Sequence, residues 1–371
     1  MKSKLFSPIT MRGATFPNRV VVSPMCQYSA SDGSANDWHL AHIGQLAMSG
    51  SGLVIHEATH VERRGRITPN CLGLYSDDNE YALEKVLNFA RRYGQSPIGI
   101  QLAHAGNKAS TQRPWEGRGP LTADEDAWLT VSSSPKPARA GWHTPQMLDR
   151  DGMNRVKQSF VDATIRSARL GYDIIEMHSA HAYLMHEFLS PLMNERNDEY
   201  GGTLQNRMKY PLEVFEAIRA AWPADKPLGL RVSATDWTPG GWTIEDSVVY
   251  AKELKALGCD YICASSGGGS DTLKITLGPG YQVPFAAQIR KEAGIPTMAV
   301  GMIFEPEYAE SIIADGLADM VALGRGMLYN PRWAWHAAAA LGTTAPYPPQ
   351  YARSEPAKWP EAFPDMRQAA E

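Results

Sequence analysis

The stretch Gly171-Tyr-Asp-Ile-Ile-Glu-Met-His-Ser-Ala-His-Ala-Tyr183 decides how the rest of the chain is read. Tyr172 to Met177 is apolar and β-branched, the pattern of a short buried strand, with Glu176 near its end. The strand empties into His178, His181 and Tyr183, and helical spacing follows at Leu184, Phe188, Leu189 and Leu192. Two histidines three apart on a turn can point at one spot, and Tyr183 can border the same space. Imidazoles can donate hydrogen bonds to one oxygen, and a phenol is a weak acid. Together they could polarise a carbonyl and protonate a neighbouring carbon. The same spacing also suits a helix cap or a structural metal.

Working outward, the same strand-then-helix unit recurs. Strands are expected over 18–23, 53–56, 98–102, 172–177, 228–233, 261–266, 297–300 and 320–323. Helices are expected over 36–48, 81–93, 156–170, 206–222, 244–257, 283–293 and 306–314. Near-continuous apolar strands argue for a parallel sheet covered on both sides. Eight repeats predict an α/β fold of the (β/α)₈ barrel type, with a doubly wound open sheet as the alternative. A barrel core takes roughly 250 residues, which leaves about 120 of the 371 for insertions. Most of these fall in a Pro-, Gly-, Ser- and Trp-rich segment over 104–150, read as a lid, and in a Pro-rich tail over 342–371. The whole of 1–371 reads as one domain.

Composition narrows the function classes. Apolar residues make up 43% of the chain, enough for a large core, and a formal net charge of −4 argues against nucleic acid or an anionic membrane as partner. No run of 18 apolar residues and no secretory leader are visible, so a cytoplasmic protein is expected. Four cysteines (Cys26, Cys71, Cys259 and Cys263) are too few for a disulfide scaffold.

In a barrel of this type the active site lies where strands end. Those ends carry Ser23, Pro24, Met25, Cys26 and Tyr28; then Glu57, Ala58 and Thr59; Gln101 and His104; His178 and His181; and Arg231. Strands seven and eight end at Gly301-Met302 and Gly324-Arg325-Gly326. Backbone N–H groups exposed there form the usual barrel phosphate site, and Arg325 would add charge-assisted hydrogen bonds. Glycine after a strand is also ordinary turn chemistry, but the four features together favour a phosphorylated cofactor.

The runs Ser23-Pro-Met-Cys-Gln-Tyr28, Gln101-Leu-Ala-His-Ala-Gly106 with Lys108, His178/His181 with Tyr183, Arg196-Asn-Asp-Glu-Tyr-Gly-Gly202 with Asn206-Arg207, and Gly324-Arg325 resemble the Old Yellow Enzyme family. Cys26 with Tyr28 resembles its thermophilic-like, cysteine-containing class. The resemblance implies a barrel holding non-covalent FMN that uses NADPH or NADH to reduce activated alkenes. It implies flavin contacts at Ser23, Pro24, Met25, Cys26, Ala58, Gln101, Arg231, Gly301, Met302, Gly324 and Arg325. It implies that His178 and His181 grip the substrate carbonyl oxygen while hydride arrives from flavin N5, that Tyr183 protonates the α-carbon, and that Tyr28 borders the substrate. Cys26 would tune the flavin's potential. Arg353, in the tail run Gln350-Tyr-Ala-Arg353, would reach a neighbouring subunit's site in a homodimer or homotetramer. The chain departs from the family at Asn107, where an arginine is common.

Two further patterns carry alternatives. His56-Glu57-Ala-Thr-His60 fits the H-E-x-x-H zinc motif, which would make a barrel hydrolase, but it starts at the end of a buried strand rather than on a helix. Cys259 and Cys263 lack the clustered partners of an iron–sulfur site, and no other metal site is expected. A flavin-binding protein without a dedicated substrate is the remaining alternative.

Overall fold

The chain begins with a small antiparallel hairpin, β1 (Ile9–Met11) and β2 (Ala14–Phe16), in a computed structural model that describes residues 2–269, 275–356, 358 and 359. The end of the expected tail, 360–371, lies outside the described residues. Then come β3 (Val20–Val22), α1 (Asp37–Ala47), β4 (Leu53–His60), α2 (Asp77–Tyr93) and β5 (Ile98–Ala103). Two short strands, β6 (Val131–Ser132) and β7 (Gln146–Met147), lie in the long segment that follows. The pattern resumes with α3 (Arg150–Arg169), β8 (Ile174–Ser179), α4 (Leu184–Leu189), α5 (Leu204–Ala221), β9 (Leu228–Ser233) and α6 (Ile244–Ala256). It ends with β10 (Tyr261–Ser265), α7 (Val283–Ala293), β11 (Thr297–Val300), α8 (Pro306–Ala314), β12 (Met320–Leu323), α9 (Arg325–Tyr329) and α10 (Trp333–Ala340). Side chains of Asn36, Ser76, Asp149, Thr203 and Thr243 accept first-turn N–H groups and start five of these helices.

Strands β3, β4, β5, β8, β9, β10, β11 and β12 pair in parallel and close into a barrel, so the fold is the expected (β/α)₈ barrel. Inward residues such as Val21, Ile55, Ile174, Tyr261, Met298 and Met320 fill its interior, and Met11 and Phe16 of the hairpin pack into the same cluster. The outer core lies between strands and helices, around residues such as Leu83, Phe160, Phe215 and Ile289.

Boundaries differ from expectation where polarity misleads. The second barrel strand does not stop at His56 but runs to His60, because closure buries its polar end and a bulge at His56/Ala58 re-registers it on β5. The fourth strand is displaced to Ile174–Ser179, which puts His178 inside the strand. Gly324-Arg325-Gly326 is not a plain turn: it opens α9. The helix after Tyr183 ends at Leu189, short of Leu192.

Gly229 shows how the barrel interior is fitted. A Cβ there would stand 2.0 Å from the Tyr261 ring. Glycine lets that ring lie against the strand, with its hydroxyl donating to Glu176 Oε2 at 3.1 Å. Gln101 Nε2 donates to the other carboxylate oxygen at 2.7 Å. Burial nonetheless raises the pKa of Glu176 above the ordinary carboxyl range.

Candidate active site

His178, one residue before the end of β8, pairs with Arg231 of β9, and the turn after Ser179 delivers His181 and Tyr183. His181 and Ala182 are both left-handed, at φ +57°, a conformation unfavourable for residues with a Cβ. Surrounding groups hold this turn. Ser233 Oγ accepts the His181 N–H at 2.9 Å and donates to Gly267 O, and the His186 ring accepts the Ala182 N–H at 2.9 Å. Lys108 Nζ donates to the carbonyls of His181 and Gly268. Gly268 is packed so closely that a Cβ would stand 2.4 Å from His181 Cα.

The imidazoles meet edge to edge, His178 Nε2 lying 3.2 Å from His181 Nδ1, and the Tyr183 ring stacks on His178 at 4.5 Å. His181 Nε2 lies 2.8 Å from Ser265 Oγ. Nitrogens so spaced leave room for one oxygen within hydrogen-bond reach of both. Burial, followed by the charge of Arg231, lowers both histidines well below their usual pKa, so the rings are neutral donors. Burial raises the Tyr183 phenol well above its usual pKa, so the proton stays on it.

Two cavities adjoin this group. One, of about 310 Å³, is lined by Tyr28, Lys108, His181 and Tyr183, with Arg118, Arg139 and Trp142 from the long segment. The other, of about 260 Å³, is lined by Ser23, Pro24 and Met25 after β3, Arg231 on β9, Gly301 and Met302 after β11, and Gly324 and Arg325 after β12. Tyr28 and Met302 are left-handed as well, so strained backbone recurs at residues the sequence singled out. Cys26 does not line the second cavity; it packs with Tyr28, Tyr183, Ile67 and Cys71, and burial raises its thiol pKa. Ala58 pairs in register with Gln101, whose side chain is committed to Glu176.

The second cavity suits a molecule with a phosphate at one end and a polar ring at the other. Arg231 donates through Nη1 to Ser23 Oγ at 3.0 Å, but its buried Nε has no partner among the described residues. A buried guanidinium donor left unpaired calls for an acceptor on the occupant. Gly301, Gly324 and Arg325 line the same cavity, where backbone N–H groups and a guanidinium are the donor types that suit a phosphate.

Some functional groups escaped the sequence. Ser233 and Ser265 are the last residues of β9 and β10, and that strand-end position was the available signal. The His186–Asp236 pair, 50 residues apart, gave none. Of the alternatives, the H-E-x-x-H run lies wholly on β4, so its residues share no helical face. His56 meets the Tyr172 hydroxyl and His60 the Leu72 carbonyl, each at 3.0 Å, and burial holds both rings neutral. Arg353 is exposed on the short turn Pro349–Ser354, near which Arg332 stacks on Trp335 and Tyr351.

A closed barrel with a phosphate-and-ring cavity beside two neutral histidines and a tyrosine defines a flavin oxidoreductase of the FMN-barrel class. The chain belongs to the NADH:flavin oxidoreductase / NADH oxidase family, which it matches over residues 4–343. It is 42% identical over 355 residues to an NADPH dehydrogenase of Geobacillus thermodenitrificans, covering 95% of this chain and 99% of the relative. Identity to the NADPH dehydrogenase of Bacillus subtilis is 41%, with the same coverage. Morphinone reductase superposes with a TM-score of 0.77 at 25% identity, over 94% of this chain and 93% of that one. The protein is therefore an NAD(P)H-dependent oxidoreductase of the FMN-using family. Among the described residues no helix is long and apolar enough to cross a membrane.

Proposed function

We propose that the protein reduces the C=C bond of α,β-unsaturated carbonyl compounds and related activated alkenes. The observation that carries this reading is the 3.2 Å approach of His178 Nε2 to His181 Nδ1 beside the stacked Tyr183. FMN would be held by Ser23, Pro24, Met25, Cys26, Ala58, Gln101 and Arg231 around its ring, and by Gly301, Met302, Gly324 and Arg325 at its phosphate. When bound, FMN would supply the hydride carrier between NADPH or NADH and the alkene.

The chain's own part is binding and proton control. His178 and His181 donate to the acceptor's carbonyl oxygen and stabilise the charge that builds there, and neutral rings can do this without holding a buried cation. Tyr183, whose proton is retained, gives it to the α-carbon. Cys26, a protonated thiol packed with Tyr28 and Tyr183, would tune the flavin's potential rather than attack anything. Tyr28 borders the acceptor, segment 104–150 covers it as a lid, and Arg353 completes the site of a neighbouring subunit in a homodimer or homotetramer.

The test is turnover of a cyclohexenone-like acceptor by His178→Ala/His181→Ala. Removing both donors should lower acceptor kcat/KM by about 10²-fold or more, while NADPH still bleaches the flavin. Unaltered acceptor turnover refutes the role. A wild type that takes up FMN yet turns over no such acceptor points to the reading without a dedicated substrate.

A further inference from the structure

The cavity beside His181 and Tyr183 has an electrostatic bias that a small neutral enone does not need. Lys108, Arg118 and Arg139 line it, and among the described residues no lining side chain is acidic. Lys108 is tied to the floor through His181 O and Gly268 O, and Arg139 packs on Trp142 at 5.1 Å. Two acids of the same segment are engaged elsewhere: Glu116 with Arg113 and Glu125 with Gln112.

Arg118 is delivered differently. It sits at the tip of a loop closed by the Thr111–Pro120 bridge and by Gln112 N–H donating to Gly119 O at 2.9 Å. Its own φ is +64°, between Gly117 at +126° and Gly119. A left-handed arginine is strained, and such strain persists where the surroundings fix it for use. Its guanidinium makes no hydrogen bond or ion pair among the described residues, yet it lines the cavity. Its field also reaches Tyr28, where burial raises the phenol's pKa and Arg118 opposes the rise. An exposed arginine can be merely solvated, but a strained, loop-fixed one lining a cavity whose described charged side chains are all cationic is placed to meet a ligand.

We propose that Arg118 reads an anionic group, a carboxylate or a phosphate, on the molecule occupying this cavity. The inference rests on the cavity being the acceptor and nicotinamide pocket. Two sources share the chemistry: a carboxylate on the acceptor, or the additional phosphate that distinguishes NADPH from NADH.

The experiment uses the FMN-loaded enzyme and reads binding, as dissociation constants from flavin spectral titration. One pair of ligands is a cyclic enone carboxylate and its methyl ester. The other is NADPH and NADH in non-reducible, tetrahydro form. Arg118→Ala should weaken the anionic member of at least one pair by roughly tenfold and its partner by less than twofold. Arg118→Lys should restore part of the loss, and the preference should shrink as salt rises from 50 to 500 mM. Loss confined to the carboxylate identifies the acceptor as the source; loss confined to NADPH identifies the phosphate. Unchanged ratios in both pairs, or equal losses for charged and neutral members, overturn the proposal. The proposed alkene reduction fails separately, through absent turnover of the neutral ester, and that result leaves the binding ratios readable.

Discussion

His186 Nε2 stands 3.1 Å from Asp236 Oδ1, both side chains sealed from solvent, and the same ring accepts the Ala182 N–H through Nδ1 at 2.9 Å. The second contact fixes the tautomer: an Nδ1 that accepts leaves the proton on Nε2, facing the carboxylate. Burial alone would raise the Asp236 pKa, but His186, Ser190 and the Trp242 N–H hold it below its usual value. The pair therefore braces the left-handed His181–Ala182 turn from beneath.

Removing that brace should mislocate His181 and Tyr183 without emptying the flavin cavity. His186→Ala is expected to lower acceptor kcat/KM by about 10- to 100-fold and stability by about 1–3 kcal/mol, because the buried Asp236 carboxylate loses the imidazole 3.1 Å away and the Ala182 N–H loses its acceptor. FMN content and reduction by NADPH should stay near wild type. His186→Asn, whose Oδ1 can occupy the place of Nδ1, should recover acceptor kcat/KM more than stability. Equal recovery of both, or of neither, argues that the ring only fills space.

Five buried histidines set the acid limb of stability. Burial is the first cause in each: it holds His42 down to about 4, His56 and His60 to about 3, and His178 and His181 well below 6.5. Below pH 6.5 the unfolded chain binds protons that the folded chain refuses, so stability falls as pH drops from 6.5 towards 4. Each site contributes up to about 1.4 kcal/mol per pH unit in that window. Unfolding midpoints measured from pH 7.5 to 4.5 should show a steep acid decline, while acceptor binding between pH 6.5 and 8 shows no histidine inflection. A flat stability profile counts against neutral burial of these rings.

Much of this arrangement was open to sequence reading, and the remainder fails for physical reasons. Leu228–Ser233, Thr297–Val300 and Met320–Leu323 read correctly to the residue because apolar strands in a closed barrel are bounded by turn chemistry. His60 was read as lying beyond its strand because a polar residue marks an end only when water can reach it. The hairpin around Gly13 is too short for a period to show, and Trp333–Ala340 is apolar but for His336, so neither carries an amphipathic signal. Clustering of His178, His181 and Tyr183 is local and was legible. Ser233, Ser265, His186 and Asp236 meet them only through tertiary packing.

Glu187 should work against the histidines. It is buried under the turn that carries Lys108, accepts the Asn107 N–H at 2.7 Å and the Ser132 hydroxyl, and is packed where any Cβ on Gly106 would collide with it. Burial pushes its carboxyl from 4.5 up to about 7 despite those donors. Between these values the folded chain keeps a proton that the unfolded chain releases, so this group's contribution declines as pH rises from about 4.5 to 7. Glu187→Gln removes the decline. Relative to wild type, the variant should gain up to about 3 kcal/mol on going from pH 4.5 to 7.5, read as a growing difference in unfolding midpoint. A difference that does not change with pH places the carboxyl in the ordinary range.

Ser265 is expected to set the working tautomer of His181. Its Oγ, nearly buried, lies 2.8 Å from His181 Nε2, and His178 Nε2 lies 3.2 Å from His181 Nδ1. For both histidines to donate to one carbonyl oxygen, His181 must carry its proton on Nδ1, so Nε2 must accept from the Ser265 hydroxyl. Ser265→Ala removes that donor and leaves the ring free to place its proton on the far nitrogen. One of two donors to the developing oxyanion is then lost part of the time, worth about 1–2 kcal/mol, so acceptor kcat/KM should fall roughly 5- to 30-fold. Ser265 also lines the cavity assigned to FMN, so flavin content must be measured alongside. A variant that keeps its flavin, reduces it normally with NADPH and still handles acceptors at the wild-type rate would show that the hydroxyl does not govern the ring.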